Sequence, residues 1–294
     1  RDLHSFPTRR SSDLLVIRTA VLLTVHNRRE GTIKGLRSLY LSIENLGEGY
    51  DFDVYMTDDG CTDGTIEAVK TEFPSIHIIH GDGNLYWGGG MRNAWQESIA
   101  SGNDYNYFLW YNDDAILYKS ALCIMFDSTN KVGANSIISG AFCNNEGQVS
   151  YGGRNAEDII LEPNGELQVL KYMNGNLVLI PYDIYKSIGL IDKRYIHSAG
   201  DFDYGLRAIK NGFNIYLTDQ YVGTTERHDE FIPKYCLQEH NLFKRWKLLH
   251  SPIYSPWDQF AFNFKYKGMI FALCTLFISY LGVLSPVTYA LLKK

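Results

Sequence analysis

The chain has 294 residues, a formal net charge of −5 and 45% hydrophobic residues. This length fits one large α/β domain, and the mildly acidic composition gives no global attraction to nucleic acid, so we expect no nucleic-acid partner. The five cysteines are odd in number and widely spaced, which argues against a disulfide framework or a zinc ribbon and favours a reducing, cytoplasmic setting.

Residues 1–14 are basic and rich in serine, and they lack the apolar stretch of a secretory signal. We expect them to be a translated cloning or sequencing artefact, or else a disordered tail. No function is inferred from them.

Apolar runs alternate with helical patterns over the first part of the chain. Strands are predicted over Leu14–Val25, Phe52–Thr57, Ile76–His80 and Tyr107–Tyr111. Helices are predicted from the spacing of Ile33, Leu36, Leu39 and Ile43, from a pattern that stops before Pro74, and over about Met91–Ala100. Later, a strand is predicted over Leu177–Pro181, helices over Tyr182–Ile188 and Phe202–Asn211, and a strand over Asn214–Thr218. This alternation predicts a mostly parallel central sheet flanked by helices.

Polar residues follow the predicted strands at His26-Asn27, at Asp58-Asp59 and at Asn112-Asp113-Asp114. Ligands of such sheets bind beyond the carboxyl ends of the strands, so these residues mark a candidate site. A carboxylate in the turn DDGCTDGT can accept a hydrogen bond from a nucleobase or ribose; the structural alternative is that Asp63 or Thr65 only caps the next helix.

A glycine-rich segment, GGGMRN at Gly88–Asn93, leads into the third predicted helix. Its glycines, the nearby helix N-terminus and Arg92 together favour an anion-binding loop.

Three motifs in this order, TVHNR at 24–28, TDDGCTDGT at 57–65 and GGGMRN at 88–93, resemble family 2 glycosyltransferases, in particular rhamnosyltransferase-like enzymes of bacterial surface polysaccharides. The resemblance covers residues 21–227. It implies the GT-A fold, a Rossmann-like α/β architecture that binds a nucleoside-diphosphate sugar, here with a helical C-terminal segment. The resemblance implies that base and ribose contact Thr24, Asn27, Asp58 and Asp59. It also implies that the diphosphate lies against Gly89, Arg92 and Asn93.

The strand end Asn112-Asp113-Asp114 resembles the DxD motif of that family, with Asn112 in the first acidic position. Mg or Mn prefers carboxylate oxygens and accepts phosphate and water as further ligands. The resemblance implies that Asp114 binds this metal and that Asp113 contacts the ribose or metal-bound water. His228 is a second candidate metal ligand. The structural alternative is that both aspartates are ordinary turn formers.

The segment from His197 to Arg207 opens a predicted helix. The family has an acidic pair at this point whose second member is the catalytic base. Here Gly200 replaces the first acid, and the resemblance implies that Asp201 is the base. The structural alternative is that Asp201 only caps the helix.

Residues 268–292 contain no charged residue and are flanked by lysines. The stretch is long enough to span a bilayer, but Ser285-Pro286 interrupts it, so an interfacial helix or a short hairpin is also open. The sequence favours membrane association over a buried helical pair. We therefore expect a catalytic domain over 15–235 and a helical, membrane-associated segment over 236–294.

These features predict a metal-dependent, inverting glycosyltransferase at the cytoplasmic face of the cell membrane. It would transfer a sugar from a UDP- or dTDP-linked donor to a glycan or lipid-linked acceptor, in polysaccharide or glycolipid synthesis. Two alternatives remain. A non-catalytic sugar-nucleotide-binding or membrane scaffold protein is suggested by Asn112 and Gly200, which replace acids, and a sugar-phosphate nucleotidyltransferase would share the fold.

Overall fold

The computed structural model describes residues 16–226 and 232–292. The first half of the chain contains β1 (Ile17–Val25), α1 (Arg29–Leu46), β2 (Tyr50–Asp58), α2 (Thr65–Glu72), β3 (His77–His80), α3 (Tyr86–Ala100), β4 (Tyr107–Tyr111), β5 (Ile116–Leu117) and α4 (Ala121–Val132). There follow β6 (Ser136–Cys143), β7 (Val149–Tyr151), β8 (Gln168–Val169), β9 (Leu177–Pro181), α5 (Tyr182–Ile188), α6 (Gly200–Lys210) and β10 (Asn214–Thr224). The C-terminal part is helical, with a 3₁₀ turn (Lys234–Cys236), α7 (Leu242–Leu249), α8 (Pro256–Lys267), α9 (Met269–Leu284) and α10 (Pro286–Leu292).

One large sheet crosses the molecule in the strand order β3-β2-β1-β4-β9-β6-β10-β5, with β7 paired to β6 and β8 to β10. Strands β3, β2, β1 and β4 are parallel, as predicted, but β9 runs antiparallel to both β4 and β6. The sheet is therefore mixed: its first four strands are parallel as predicted and β6 pairs parallel with β10, but β9 lies antiparallel between β4 and β6. The reason is that residues 144–176 form short strands and loops rather than a crossover helix, so the chain returns antiparallel.

Two hydrophobic clusters cover the two faces of the sheet. Successive residues of β1 alternate between them: Val21 packs in the cluster that contains Leu36 of α1, and Leu22 packs with Trp95 of α3. This alternation follows from the two-residue period of a strand. Helices on both faces explain why β1 is apolar almost throughout, as strands buried on both sides are.

Helix α6 is tied to the C-terminal helices through the fully buried carboxylate of Asp203. Lys265 Nζ lies 2.7 Å and the Tyr266 hydroxyl 2.8 Å from its Oδ1, while Arg207 Nε donates to its Oδ2 over 2.8 Å. Three donors satisfy the buried charge, as burial of a carboxylate requires. Helix α8 is thereby fixed against the helix that carries Asp201.

The uncharged stretch 268–292 forms two helices, α9 and α10, which meet at Ser285. The break falls where the Ser285-Pro286 pair predicted it. Among the described residues, no helix combines the length and the apolar character that crossing a membrane requires.

Candidate active site

A cleft of about 1710 Å³ lies at the carboxyl ends of β1, β2 and β4. Five of the predicted site residues line it: Thr24, Asp59, Asp113, Asp114 and Asp201. Five others that the structure describes lie outside its lining: Asn27, Asp58, Gly89, Arg92 and Asn93. His228 lies outside the described residues. The strand ends and the start of α6 thus bring acids from the turn after β2, from the end of β4 and from α6 to one cleft, although Asp58 lies outside its lining.

Asn27 joins the loop after β1 to the loop after β2. Its backbone is left-handed, with a φ of 49°, which asparagine tolerates better than most residues. Its side-chain oxygen accepts from the Thr62 N–H over 2.7 Å. In the same turn, Asp63 accepts from the N–H groups of Arg29 and Thr65, each over 3.0 Å, which agrees with the structural alternative for Asp63 at the start of α2.

The carboxylates of Asp58, the last residue of β2, and of Asp59, which follows it, both accept hydrogen bonds from backbone N–H groups. Asp58 accepts from the Cys61 N–H over 2.8 Å and lies 3.1 Å from His80 Nδ1. Burial raises the pKa of Asp58, but these hydrogen bonds outweigh it and hold the pKa below its ordinary value. The contacts of Asp58 with a nucleotide stay a prediction.

Asp59 accepts from three N–H groups: those of Gly83 (2.9 Å) and Leu85 (3.1 Å) on Oδ1, and that of Tyr86 (2.8 Å) on Oδ2. These amides precede or begin α3, so Asp59 stabilises its N-terminus. Asp59 therefore shapes the cleft wall whatever ligand it contacts.

The glycine-rich segment is not a loop. It forms the first turns of α3, which begins at Tyr86, so the predicted start at about Met91 is wrong. The N–H groups of Gly88 and Gly89 donate to the Ile196 carbonyl, and a Cβ on Gly90 would lie 2.1 Å from Thr24 Oγ1. Close helix packing accounts for these glycines, and a diphosphate contact of Gly89, Arg92 and Asn93 stays a prediction.

The strand end after β4 presents two carboxylates around one guanidinium. The buried Asp113 accepts from Thr32 Oγ1 over 2.7 Å, and Arg28 Nη1 lies 3.3 Å from its second oxygen. The same Nη1 donates to Asp114 Oδ2 over 2.9 Å. Burial raises the pKa of Asp113 against the opposing effects of Thr32 and Arg28. Partial burial lowers the pKa of Arg28, but the two carboxylates outweigh it and raise the pKa overall.

Asn112 has a structural reason to be an amide. Its side-chain oxygen accepts from Trp87 Nε1 over 2.7 Å, and its Nδ2 donates to Asn176 Oδ1 over 2.6 Å. The indole N–H is only a donor, which fixes the orientation of Asn112. A carboxylate at position 112 would place an oxygen against Asn176 Oδ1, so the amide lets this strand end join α3 to β9.

The carboxylate of Asp114 suits a divalent cation that takes its remaining ligands from a bound molecule and from water. Among the described residues, no three His, Cys, Asp or Glu side chains form a metal-binding group. Mg or Mn bound to Asp114 would therefore complete its shell with diphosphate oxygens and water, as these hard ions commonly do. The Asp113-Asp114 pair already attracts a cationic nitrogen, which shows that its charge suits a cation.

Asp201 lies in the first turn of α6 and faces the cleft. Its Oδ2 accepts from the Gly175 N–H over 3.1 Å, and its Oδ1 accepts from the Phe202 N–H over 2.8 Å. A Cβ on Gly200 would lie 3.3 Å from Ile191 and 3.4 Å from Trp87, closer than most such contacts. Packing thus explains the glycine at position 200, and Asp201 is the acid that this segment gives to the cleft.

Polar side chains without a predicted role also line the cleft, among them Arg28, Asn174, Asn176 and His197. The Nδ2 atoms of Asn174 and Asn176 and Nδ1 of His197 are buried without hydrogen-bond partners among the described residues. Arg28 belongs to the TVHNR motif, and Asn174-Gly175-Asn176 directly precedes β9. The sequence therefore offered a reason to include both stretches among the candidate site residues. Their side-chain partners lie far away in the sequence and could not be read from it.

A family model described as "Glycosyl transferase family 2" matches residues 20–182. No curated protein sequence matches the chain. Solved structures do. The mannosyltransferase PcManGT from Pyrobaculum calidifontis, in complex with GDP-Man and Mn²⁺, is 12% identical with a TM-score of 0.52, over 94% of this chain and 78% of that one. TarS 1-349 from S. aureus is 14% identical with a TM-score of 0.54, over 90% and 81%. GalNAc-T7 with UDP, GalNAc and Mn²⁺ is 10% identical with a TM-score of 0.52, over 81% and 48%. At these identities the likeness shows the fold, and the predicted GT-A fold is confirmed.

Proposed function

Because the chain belongs to glycosyl transferase family 2, we propose that it is an inverting enzyme that transfers a sugar from a nucleoside-diphosphate sugar to an acceptor hydroxyl. One observation carries the proposal: Asp113, Asp114 and Asp201 line the same cleft at the carboxyl ends of the strands. A nucleotide-binding scaffold would not need Asp201 there.

Asp201 acts as the general base in this proposal. Its two backbone hydrogen bonds, from Gly175 and Phe202, orient the carboxylate toward the cleft. The acceptor oxygen forms a bond to the anomeric carbon while the bond from that carbon to the diphosphate oxygen breaks, and the hydroxyl proton passes to Asp201. A single displacement of this kind inverts the anomeric configuration. A divalent cation at Asp114 would neutralise charge on the leaving diphosphate.

The donor we propose is UDP- or dTDP-linked, with Mg or Mn as the cation. PcManGT and GalNAc-T7, which share the fold, were crystallised with GDP-Man or UDP and with Mn²⁺. Thr24 and Asp59 line the cleft beside the carboxylates that follow β4, which supports a nucleotide along this wall. Asn27 and Asp58 lie outside the cleft lining and would support nucleotide binding by stabilising the loops after β1 and β2.

For the acceptor, we propose a glycan or lipid-linked molecule at the cytoplasmic face of the membrane, in surface-polysaccharide or glycolipid synthesis. The cleft continues from Asp201 to Asn263, Lys267 and Phe271 on the C-terminal helices. One end of the cleft is therefore polar, at the carboxylates, and its other end includes apolar side chains. An amphipathic acceptor has the same two parts.

A donor panel tests the function. UDP-, dTDP- and GDP-sugars are incubated with Mn²⁺ and with glycan or polyprenyl-phosphate-linked acceptors, and nucleotide release and the anomeric configuration of the product are measured. We expect Asp201→Asn to lower turnover about 10²–10⁴-fold while thermal-shift measurements still report nucleotide binding. Asp183→Asn, an exposed acid in the first turn of α5, is the matched control and should stay active. If wild-type protein binds donors but releases no nucleotide, whichever acceptor is offered, the scaffold alternative is favoured.

A further inference from the structure

Arg28 occupies the space between the two carboxylates that follow β4. A single guanidinium nitrogen, Nη1, lies 3.3 Å from Asp113 and 2.9 Å from Asp114. The Arg28 side chain is 46% exposed, whereas the Asp113 side chain is 7% exposed. The cation thus approaches from the cleft side, and the carboxylates form the floor beneath it.

A divalent metal at Asp114 and the guanidinium of Arg28 compete for the same carboxylate, of which Arg28 already occupies Oδ2. A Mg or Mn ion binds a carboxylate oxygen at about 2.0–2.2 Å and repels a second positive charge beside it. Each cation therefore weakens the binding of the other to Asp114. Asp113 does not depend on Arg28 for its position, because Thr32 still donates to its other oxygen.

We propose that Arg28 is an exchangeable counter-cation, an inference that rests on the proposed function. Without nucleotide, Arg28 neutralises Asp113 and Asp114. When a metal-bound nucleoside diphosphate enters, Arg28 leaves Asp114 and turns its guanidinium to the diphosphate, which it can reach because it lines the same cleft. A planar guanidinium suits phosphate oxygens, and the long exposed side chain permits the movement.

This exchange couples the binding of metal and nucleotide. In the free protein Arg28 competes with the metal, so metal alone binds weakly. With nucleotide bound, the displaced guanidinium gains new partners, so the two ligands strengthen each other. The structural alternative is a fixed salt bridge that only holds the loop after β1 against β4.

The test measures Mn²⁺ binding to the full chain by electron paramagnetic resonance of the free ion, first without nucleotide. We expect Arg28→Ala to bind Mn²⁺ about fivefold more tightly than wild type, the effect of removing one competing ion pair. Arg28→Gln keeps the size of the side chain without its charge and should act likewise. Arg29→Ala removes the same charge from an exposed neighbour and should change the affinity less than about twofold.

A second titration uses Mn²⁺ with UDP, dTDP or GDP. Here Arg28→Ala should bind the metal-nucleotide pair about tenfold more weakly than wild type, because a charged hydrogen bond to the diphosphate is lost. Unchanged or weaker Mn²⁺ binding by Arg28→Ala and Arg28→Gln in the first titration, or no binding to any variant, would overturn the exchange. Asp114→Asn separates the two proposals. If it leaves Mn²⁺ binding intact, the metal assignment itself fails and the exchange fails with it; if it abolishes binding while the Arg28 variants bind as wild type does, only the exchange fails.

Discussion

At the scale of single residues, Asp59 links the acidic turn after β2 to the start of α3. Its carboxylate accepts from three backbone N–H groups and is buried. Asp59→Asn would turn an NH₂ group toward one of these donors and would remove the charge from the others. We expect the free energy of unfolding to fall by about 1–3 kcal/mol, measured by urea denaturation.

The control for Asp59 is Asp82→Asn, in the loop between β3 and α3 whose N–H groups Asp59 accepts from. Asp82 is exposed, and its side chain accepts from the Asn84 N–H, a role that the amide oxygen of asparagine can keep. A loss as large for Asp82→Asn as for Asp59→Asn would contradict a specific role of the buried carboxylate.

His197 gives the cleft a dependence on pH. Burial lowers its pKa, and its Nδ1 has no partner among the described residues, so folding disfavours the protonated imidazole. The unfolded chain has an ordinary histidine pKa of about 6.5 and takes up a proton first as the pH falls. The stability that neutral His197 allows is therefore complete above about pH 6.5 and is lost as the pH falls toward the folded pKa.

We expect the melting temperature of wild type to fall between about pH 6.5 and 5 more steeply than that of His197→Gln. Calorimetry across this range measures the difference. His77→Gln, which removes an exposed histidine of β3, should keep the wild-type slope. Parallel curves for wild type and His197→Gln would show that another group controls the acid response.

At the scale of elements, α3 packs against β1 through glycines. A Cβ on Gly90 would lie 2.1 Å from Thr24 Oγ1 and 2.6 Å from Thr24 Cβ. The strand resists movement, because β1 is an interior strand of the sheet, paired on both sides with β2 and β4. We expect Gly90→Ala to lower the free energy of unfolding by about 1–3 kcal/mol and to weaken nucleotide binding, since Thr24 lines the cleft.

Gly31→Ala in α1 is the matched helical control for Gly90. No atom lies within 4 Å of a Cβ at Gly31, and alanine favours a helix by up to about 1 kcal/mol over glycine. The free energy of unfolding should therefore rise for Gly31→Ala and fall for Gly90→Ala, as measured by denaturation. Equal destabilisation would mean that glycine flexibility, rather than contact with Thr24, matters.

Local patterns predicted most elements, because each depends on neighbours in the sequence. The strand Tyr107–Tyr111, the strand Leu177–Pro181 and the helix Tyr182–Ile188 have the predicted bounds. The start of α3 was missed because three successive glycines disfavour a helix locally, and only their contacts with Thr24 and Ile196 explain them. Tertiary packing overrode propensity at that point.

At the scale of the whole molecule, the sheet decides which residues meet. Parallel strands β1, β2 and β4 brought Asp59, Asp113 and Asp114 to one edge, so that part of the site followed from the alternation of strands and helices. Two other contacts did not follow from this alternation: the pairing of Asn112 with Asn176 and the contact of Arg28 with Asp113. Their partners lie 64 and 85 residues apart in the sequence. Such contacts depend on the antiparallel β9 and on loop geometry, which single-sequence patterns do not encode.

The C-terminal helices leave an apolar stripe uncovered. Along α9, Ile270, Leu273, Phe277 and Leu284 are 52–81% exposed and share one face, while Ala272 and Val283 are buried on another. Exposed aromatic residues of α7 and α8 accompany basic residues of α7: Phe243, Trp246, Trp257, Lys244, Arg245 and Lys247. Apolar side chains mixed with basic ones suit the surface of an anionic bilayer. The predicted membrane association stays a prediction that this surface supports.

Ile270→Asp combined with Phe277→Asp tests this surface. Each substitution places a negative charge where an apolar side chain would enter the bilayer, so we expect binding to vesicles of phosphatidylcholine and phosphatidylglycerol to fall at least about tenfold. Co-sedimentation measures it. The control, Ile159→Asp with Val169→Asp, changes equally exposed apolar residues outside the C-terminal helices and should bind as wild type does. If both pairs lower binding equally, only net charge matters; if neither does, α9 does not contact the membrane and its exposed stripe must face another partner.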